Sequence, residues 1–194
     1  MAKLYFKYGA MNSGKTTILL QTAHNYEERG MHVFVVKPSI DTKANEYISS
    51  RLGIKRKVDC LLSESDDIYK IIKKKKDINV VLVDECQFLK REQVDELMKI
   101  TTDLNIPVLC YGLRTDFKTN GFEGSERLLL IAHSIEEIKT ICRCGAKAIY
   151  NARFVNGKFE LEGGQVEIDG RENITYESLC PKCYSKLVEK YYKS

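Results

Sequence analysis

The eight residues Gly9-Ala10-Met11-Asn12-Ser13-Gly14-Lys15-Thr16 constrain this chain more than any other stretch. They follow the phosphate-loop pattern of a glycine, four residues, then Gly-Lys-Thr. A strand-like run, Leu4-Tyr5-Phe6-Lys7-Tyr8, comes directly before them, and Thr17-Ile18-Leu19-Leu20 opens a helix-like run directly after. That context separates the motif from a chance match in a glycine-bearing turn. Glycine at 9 and 14 lets the backbone turn tightly and aim its N–H groups at phosphate oxygens, at the positive end of the following helix. Lys15 suits the β and γ phosphates, and the Thr16 hydroxyl suits Mg²⁺, which prefers oxygen ligands. Residues Gly9 to Thr16 are therefore expected to hold a nucleoside triphosphate with magnesium.

Length and composition limit what surrounds this loop. At 194 residues, 43% of them hydrophobic, the chain can form one domain with a real core, or one domain with a small appendage. It contains no run of eighteen apolar residues, and Lys3 and Lys7 interrupt its beginning. Neither a membrane span nor a secretory signal is expected, and the reading is cytoplasmic. The net charge of +4 suits small anions without requiring nucleic acid. Seven cysteines, odd in number and unevenly spaced, read as thiols, four of them arranged as metal ligands.

Apolar residues at Ile18, Leu19, Ala23 and Tyr26 have helical spacing, Gly30 is a stop, and Val33-Phe34-Val35-Val36 is a strand. Strand, helix, strand in this span predicts a parallel unit with the phosphate loop at its first crossover. Residues 38–58 are polar and read as a loop near the site, with solvation the simpler account of each charge. A short helix over Ile68–Ile72 ends in four lysines, Lys73 to Lys76, which fit a solvated helix C-terminus better than a nucleic-acid contact.

The run Asn79-Val80-Val81-Leu82-Val83-Asp84-Glu85-Cys86-Gln87-Phe88 reads as a buried parallel strand that delivers acids to its C-terminal edge. Asp84 would face the magnesium. Glu85 has two readings from the residues alone: a general base close to the γ phosphate, or a strand-end carboxylate capping the next helix. Val94, Leu97, Met98, Thr101 and Leu104 share a helical face, and Pro107 to Gly112 supply another buried strand. In the loop after it, Phe117 and Phe122 either plug the core or stack on a ligand.

Composition changes near Ile141. Cys142-Arg143-Cys144-Gly145 and Cys180-Pro181-Lys182-Cys183 are two close pairs at tight turns, a four-thiolate pattern for structural Zn²⁺, although the first pair has one intervening residue instead of two. Cys60, Cys86 and Cys110 have no partner spacing and read as small core residues. Gly157, Gly163, Gly164 and Gly170 lie between the pairs, and a glycine-rich excursion held at both ends by one metal reads as a lid. The last helix is expected from Ser178.

Taken together, GAMNSGKT, DECQF, the Leu113/Phe117/Phe122 loop and the CRCG…CPKC pairs closely resemble the type II thymidine kinases over nearly the whole chain. The resemblance implies an α/β fold: a P-loop NTPase (RecA-like) parallel sheet flanked by helices over 1–140, then a small zinc-binding domain with a lid, or lasso, loop over 141–194. It implies transfer of the γ-phosphate of ATP to the 5′-hydroxyl of thymidine or deoxyuridine, giving dTMP for salvage toward DNA synthesis. Glu85 takes the role of base on this resemblance, and Asp84, Glu85, Cys86 and Gln87 continue the triphosphate site. Met11, Phe88, Leu113, Phe117, Phe122 and Tyr176 would enclose the thymine, helped by lid backbone between about 163 and 176. The family further implies a homotetramer and inhibition by thymidine triphosphate (dTTP), with no nucleic acid or membrane partner. Where many members have Asp-Thr-Arg, this chain has Asp41-Thr42-Lys43, and lysine lacks the bidentate phosphate contact of arginine, so Lys43 is left out of the catalytic set. The rival reading is an ATP-driven nucleic-acid protein, disfavoured by the mild charge and by a zinc segment without interleaved aromatic and basic residues.

Overall fold

A computed structural model describes residues 1–39, 46–165 and 173–193. Asp41, Lys43, Gly170 and lid positions 166–172, on which expectations fall, lie outside the described residues. The chain opens with β1 (Leu4–Tyr8), the phosphate loop and α1 (Lys15–Glu27), which starts inside the motif. β2 (His32–Pro38) follows, then β3 (Tyr47–Ser49) and β4 (Lys55–Lys57), paired antiparallel. This hairpin occupies the stretch read as a loop. Among its described residues only Ile48 and Val58 join the apolar core under α1, too few to leave an alternating pattern. β5 (Cys60–Leu62), α2 (Ile68–Lys73) and β6 (Ile78–Val83) come next, then a 3-10 turn at Cys86–Phe88, α3 (Arg91–Asp103), β7 (Val108–Gly112), α4 (Glu123–Ile131) and β8 (Ser134–Glu137).

Six of these strands form one sheet in the order β5-β2-β6-β7-β1-β8, parallel throughout. Successive residues of a strand face opposite sides, and here both sides are covered. Val33, Val35, Val80 and Leu82 join Leu19, Leu20 and Ala23 of α1 in one core. Phe34, Val36, Val81 and Val83 join Phe6, Ile72, Leu97 and Ile100 in the other, under α2 and α3. This two-sided burial is why Val80 to Val83 read as a continuous apolar run. The starts of α2 and α3 are satisfied locally: Asp67 accepts the Lys70 amide at 2.8 Å, and the Gln93 side chain accepts the Lys90 amide at 3.1 Å. Cys86 and Cys110 are buried and Cys60 packs half-buried on the same core, as read from their spacing.

The remaining residues form β9 (Thr140–Ile141) and β10 (Lys147–Ala148), then β11 (Tyr150–Val155), β12 (Lys158–Glu160) and β13 (Ile174–Leu179) in a three-stranded antiparallel sheet, and α5 (Pro181–Tyr191). They have a core of their own around Cys142, Ala148, Ala152, Leu179, Cys180 and Tyr184. The last helix begins at Pro181, later than expected, because Ser178 and Leu179 continue β13 opposite Asn151 and Tyr150. Gly157 also departs from the lid reading. With Asn156 at φ 50° and Gly157 at φ 77°, the pair forms the tight turn between β11 and β12.

Candidate active site

The C-terminal ends of β1, β6 and β7 converge on one cleft. β7 lies between the other two, so the phosphate loop leaves the sheet one strand away from Asp84. The loop is drawn tight against the fold: the Gly9 amide donates to the Gly112 carbonyl at 3.2 Å. A Cβ at Gly9 would lie 2.5 Å from the Ile138 carbonyl oxygen and from the Ser13 Oγ, so this position admits only glycine. Gly14, at φ 82°, turns the chain into α1 in the left-handed region. The cleft, about 570 Å³, is lined by residues 11–18, by Ser49 to Leu52 of the hairpin, and by Glu85 and Leu113.

Lys15 Nζ rests over the loop, donating to the Ala10 carbonyl at 2.9 Å and the Gly9 carbonyl at 3.3 Å. Burial pushes its ammonium pKa down, while the charges of Glu85 and Asp84 oppose that shift. Asp84 is 4% exposed and accepts from the Thr16 hydroxyl at 3.2 Å. Burial, then the neighbouring Glu85 charge, push the Asp84 carboxyl up to about 7, against hydrogen bonds from Glu85 N–H and Thr16 and the charge of Lys15. A hydroxyl and a carboxylate meeting beside a phosphate loop form an all-oxygen donor set that fits Mg²⁺, and a cation there would favour the ionised carboxylate.

Glu85 follows in a left-handed conformation, φ 51° and ψ 37°, which costs a non-glycine residue about 1–2 kcal/mol. The turn takes its side chain out of the strand's alternation and onto the cleft wall. Glu85 precedes the Cys86–Phe88 turn without making a side-chain cap bond, so the capping alternative is not what the residue does. Its Oε2 accepts from Gln87 Nε2 at 2.5 Å, and the Gln87 Oε1 accepts the Leu113 amide at 3.1 Å. Gln87, 2% exposed, is thus a strut between the glutamate and the loop after β7. The Cys86 side chain turns away into the core beside Cys110.

Of the six residues assigned to the thymine, Met11 and Leu113 line the cleft. Phe117 and Phe122 are both buried, as the core-plugging alternative has it. Phe117 lies under the Arg153 guanidinium, 3.7 Å from its ring centre, and its carbonyl accepts from the Tyr184 hydroxyl. Phe122 meets Phe88 edge-on at 5.6 Å. Phe88 also borders a separate hollow of about 210 Å³ with Pro38, Ser39, Leu62, Glu64 and Gln93. Tyr176 is half-buried on β13, opposite Arg153. The described start of the lid is docked on the Leu113–Phe122 loop: Gln165 donates to Asp116 at 3.1 Å and to the Gly121 carbonyl at 3.0 Å, and Lys118 donates to the Gly163 carbonyl at 2.6 Å.

The Sγ atoms of Cys142, Cys144, Cys180 and Cys183 all lie within 4.8 Å of one another, with Cys144 and Cys180 at 3.6 Å. Tetrahedral Zn–S bonds of about 2.3 Å imply sulfur separations of roughly 3.8 Å, so the cluster is the right size and chemistry for zinc. The single intervening residue in the first pair is accommodated by a turn in which Gly145, at φ 84°, donates to the Cys142 carbonyl at 2.8 Å.

Ser49 to Leu52 line the cleft, as expected of the stretch 38–58 read as lying near the site. Asn151 and Ser178, which hold the backbone of Met11 from β11 and β13, carry no sequence signal. No local motif marks either, since their contacts with Met11 cross 140 or more residues.

A family model described as thymidine kinase matches residues 2–184. The thymidine kinase of Enterobacteria phage T4 is 48% identical over 194 residues, covering 98% of this chain and 99% of its own length. That of Streptococcus agalactiae serotype Ia is 46% identical over 188 residues, covering 95% and 97%. That of Rhodopirellula baltica is 46% identical over 185 residues, covering 93% and 86%.

Proposed function

The chain belongs to the thymidine kinase family, and from that premise we propose how its own residues transfer the γ-phosphate of ATP to the 5′-hydroxyl of thymidine. The observation that carries the assignment of roles is the convergence of Lys15, Thr16, Asp84 and Glu85 on one phosphate-loop cleft. The transition state of phosphoryl transfer is loose, so most of the work is alignment and charge neutralisation. Backbone amides of the loop and Lys15 hold the triphosphate. Thr16 and Asp84 would hold Mg²⁺, which when bound neutralises phosphate charge. Glu85, steadied by Gln87, accepts the proton of the attacking 5′-hydroxyl. Met11 and Leu113 bound the nucleoside side of the cleft, and Phe88, Phe117 and Phe122 support its wall from the core. Tyr176 and the lid close over the base, a reading supported by the docking of Gln165 and Lys118 beside it.

The same reading divides the chain at residue 140 into a nucleotide-binding unit and a zinc-and-lid unit, supported by their separate cores. It includes a homotetramer inhibited by dTTP at the nucleoside site, and a cytoplasmic enzyme. Among the described residues no helix is long and apolar enough to cross a membrane. The four cysteines hold structural Zn²⁺. About one zinc per chain is expected by atomic absorption, together with unreactive thiols in the native protein. Far less zinc, or four freely titrating cysteines, would contradict the site.

The test of function is ATP turnover by the purified protein with magnesium, with and without thymidine and beside the other deoxynucleosides. Thymidine is expected to raise turnover far above the nucleoside-free rate. ATP hydrolysis indifferent to nucleoside but stimulated by nucleic acid would replace this reading with the motor alternative.

A further inference from the structure

The phosphate loop is fastened at Met11 by two residues of the metal-stapled unit. The Met11 amide donates to Asn151 Oδ1 at 2.8 Å, and the Met11 carbonyl accepts from the Ser178 hydroxyl. Asn151 and Ser178 are direct cross-strand partners on β11 and β13, and both are buried, at 3% and 6% exposure. The Asn151 Nδ2 donates to the Thr115 carbonyl at 3.1 Å, tying the loop after β7 into the same joint. Together with the bond from the Gly9 amide to Gly112, these contacts fix the first three loop residues. A left-handed turn at Asn12, φ 64°, then carries the chain on to Ser13, whose amide donates to the Ala10 carbonyl at 3.3 Å. Two residues beyond Ser178 comes Cys180, so the strand that carries one half of the joint ends at the four-cysteine cluster.

We propose that Asn151 and Ser178 are positioning residues for nucleotide binding, a clamp on Met11 through which the C-terminal unit sets the register of the phosphate loop. A cradle of backbone amides binds an anion well only when its donors are held in place beforehand, since ordering a loose loop on binding costs conformational entropy. Releasing Met11 returns that cost to the binding step. The proposal rests on the loop being the nucleotide site.

The experiment compares full-length wild type with Ser178→Ala and Asn151→Ala by calorimetric titration of MgATP and by amide hydrogen exchange. The expected result is an MgATP Kd raised about tenfold in each variant. Exchange should become faster in the segment 9–16 while the segments of β2 and β6 keep their protection, and zinc content should stay at the wild-type level. Ser178→Thr, which keeps the hydroxyl, should bind MgATP as wild type does. A merely structural role would instead lower the melting temperature and loosen both segments without this selectivity. Folded variants with wild-type affinity and unchanged exchange at 9–16 would overturn the proposal. Should the alanine variants fail to fold, the Met11 amide in ligand-free wild type decides: slow exchange supports the clamp, and fast exchange overturns it. A wild type that does not bind MgATP at all would instead remove the phosphate-loop reading beneath it.

Discussion

Glu85→Gln is expected to lower thymidine turnover by on the order of a hundredfold or more, while thymidine and ATP still bind. The substitution keeps the side chain's size and removes its ability to take a proton. Glu85 sits on the cleft wall, oriented by Gln87 and carried on a left-handed backbone that a residue serving only as a strand end has no reason to adopt. The amide can still meet Gln87 after rotation, so packing and stability should change little. A hundredfold loss corresponds to about 2.7 kcal/mol of transition-state stabilisation. Steady-state kcat and KM for both substrates are the measurements, and wild-type kcat in the variant would remove the assignment of Glu85 as base.

Lys15→Ala should act differently, weakening nucleotide binding and transfer together, with kcat/KM for ATP reduced on the order of a hundredfold or more. Lys15 lies where burial disfavours its charge, and it is held there by the carbonyls of Gly9 and Ala10 and by the negative charges of Asp84 and Glu85. Triphosphate entering the cleft would offer that ammonium stronger partners, which would grow stronger still as charge develops on the transferred group. Lys15→Met, which keeps the apolar stem, should lose nearly as much activity and so show that the charge rather than packing is responsible. Intact ATP affinity with an intact rate in either variant would count against Lys15 as the phosphate cation.

What could be read from the sequence depended on how local each feature is. The phosphate loop was legible because eight consecutive residues carry its turn, its cation and its hydroxyl. The strands Val33–Val36 and Val80–Val83 were legible because burial on both faces leaves an unbroken apolar run. The four cysteines were legible as two tight pairs even with the short first spacing. Glu85 was ambiguous because base and cap differ only in where the side chain goes, and that is decided by a backbone φ. Phe117 and Phe122 were ambiguous for a related reason: their burial depends on Arg153 and Phe88, which lie outside their loop. Gly157 reads as lid from composition because a glycine in a two-residue hairpin turn has the same composition as one in an open loop. The joint at Met11 left no trace, since Asn151 and Ser178 look like ordinary polar residues of two strands until those strands are laid side by side.

As a member of the thymidine kinase family, the chain is expected to pass the γ-phosphate of ATP to the 5′-hydroxyl of thymidine in this cleft. Following γ-labelled ATP with magnesium, thymidine, and 5′-deoxythymidine as a control tests it most directly. The expected result is label in dTMP when thymidine is present, and no nucleoside product from the analogue that lacks the hydroxyl. Label released as inorganic phosphate at one rate with thymidine, with the analogue and with neither would contradict the account.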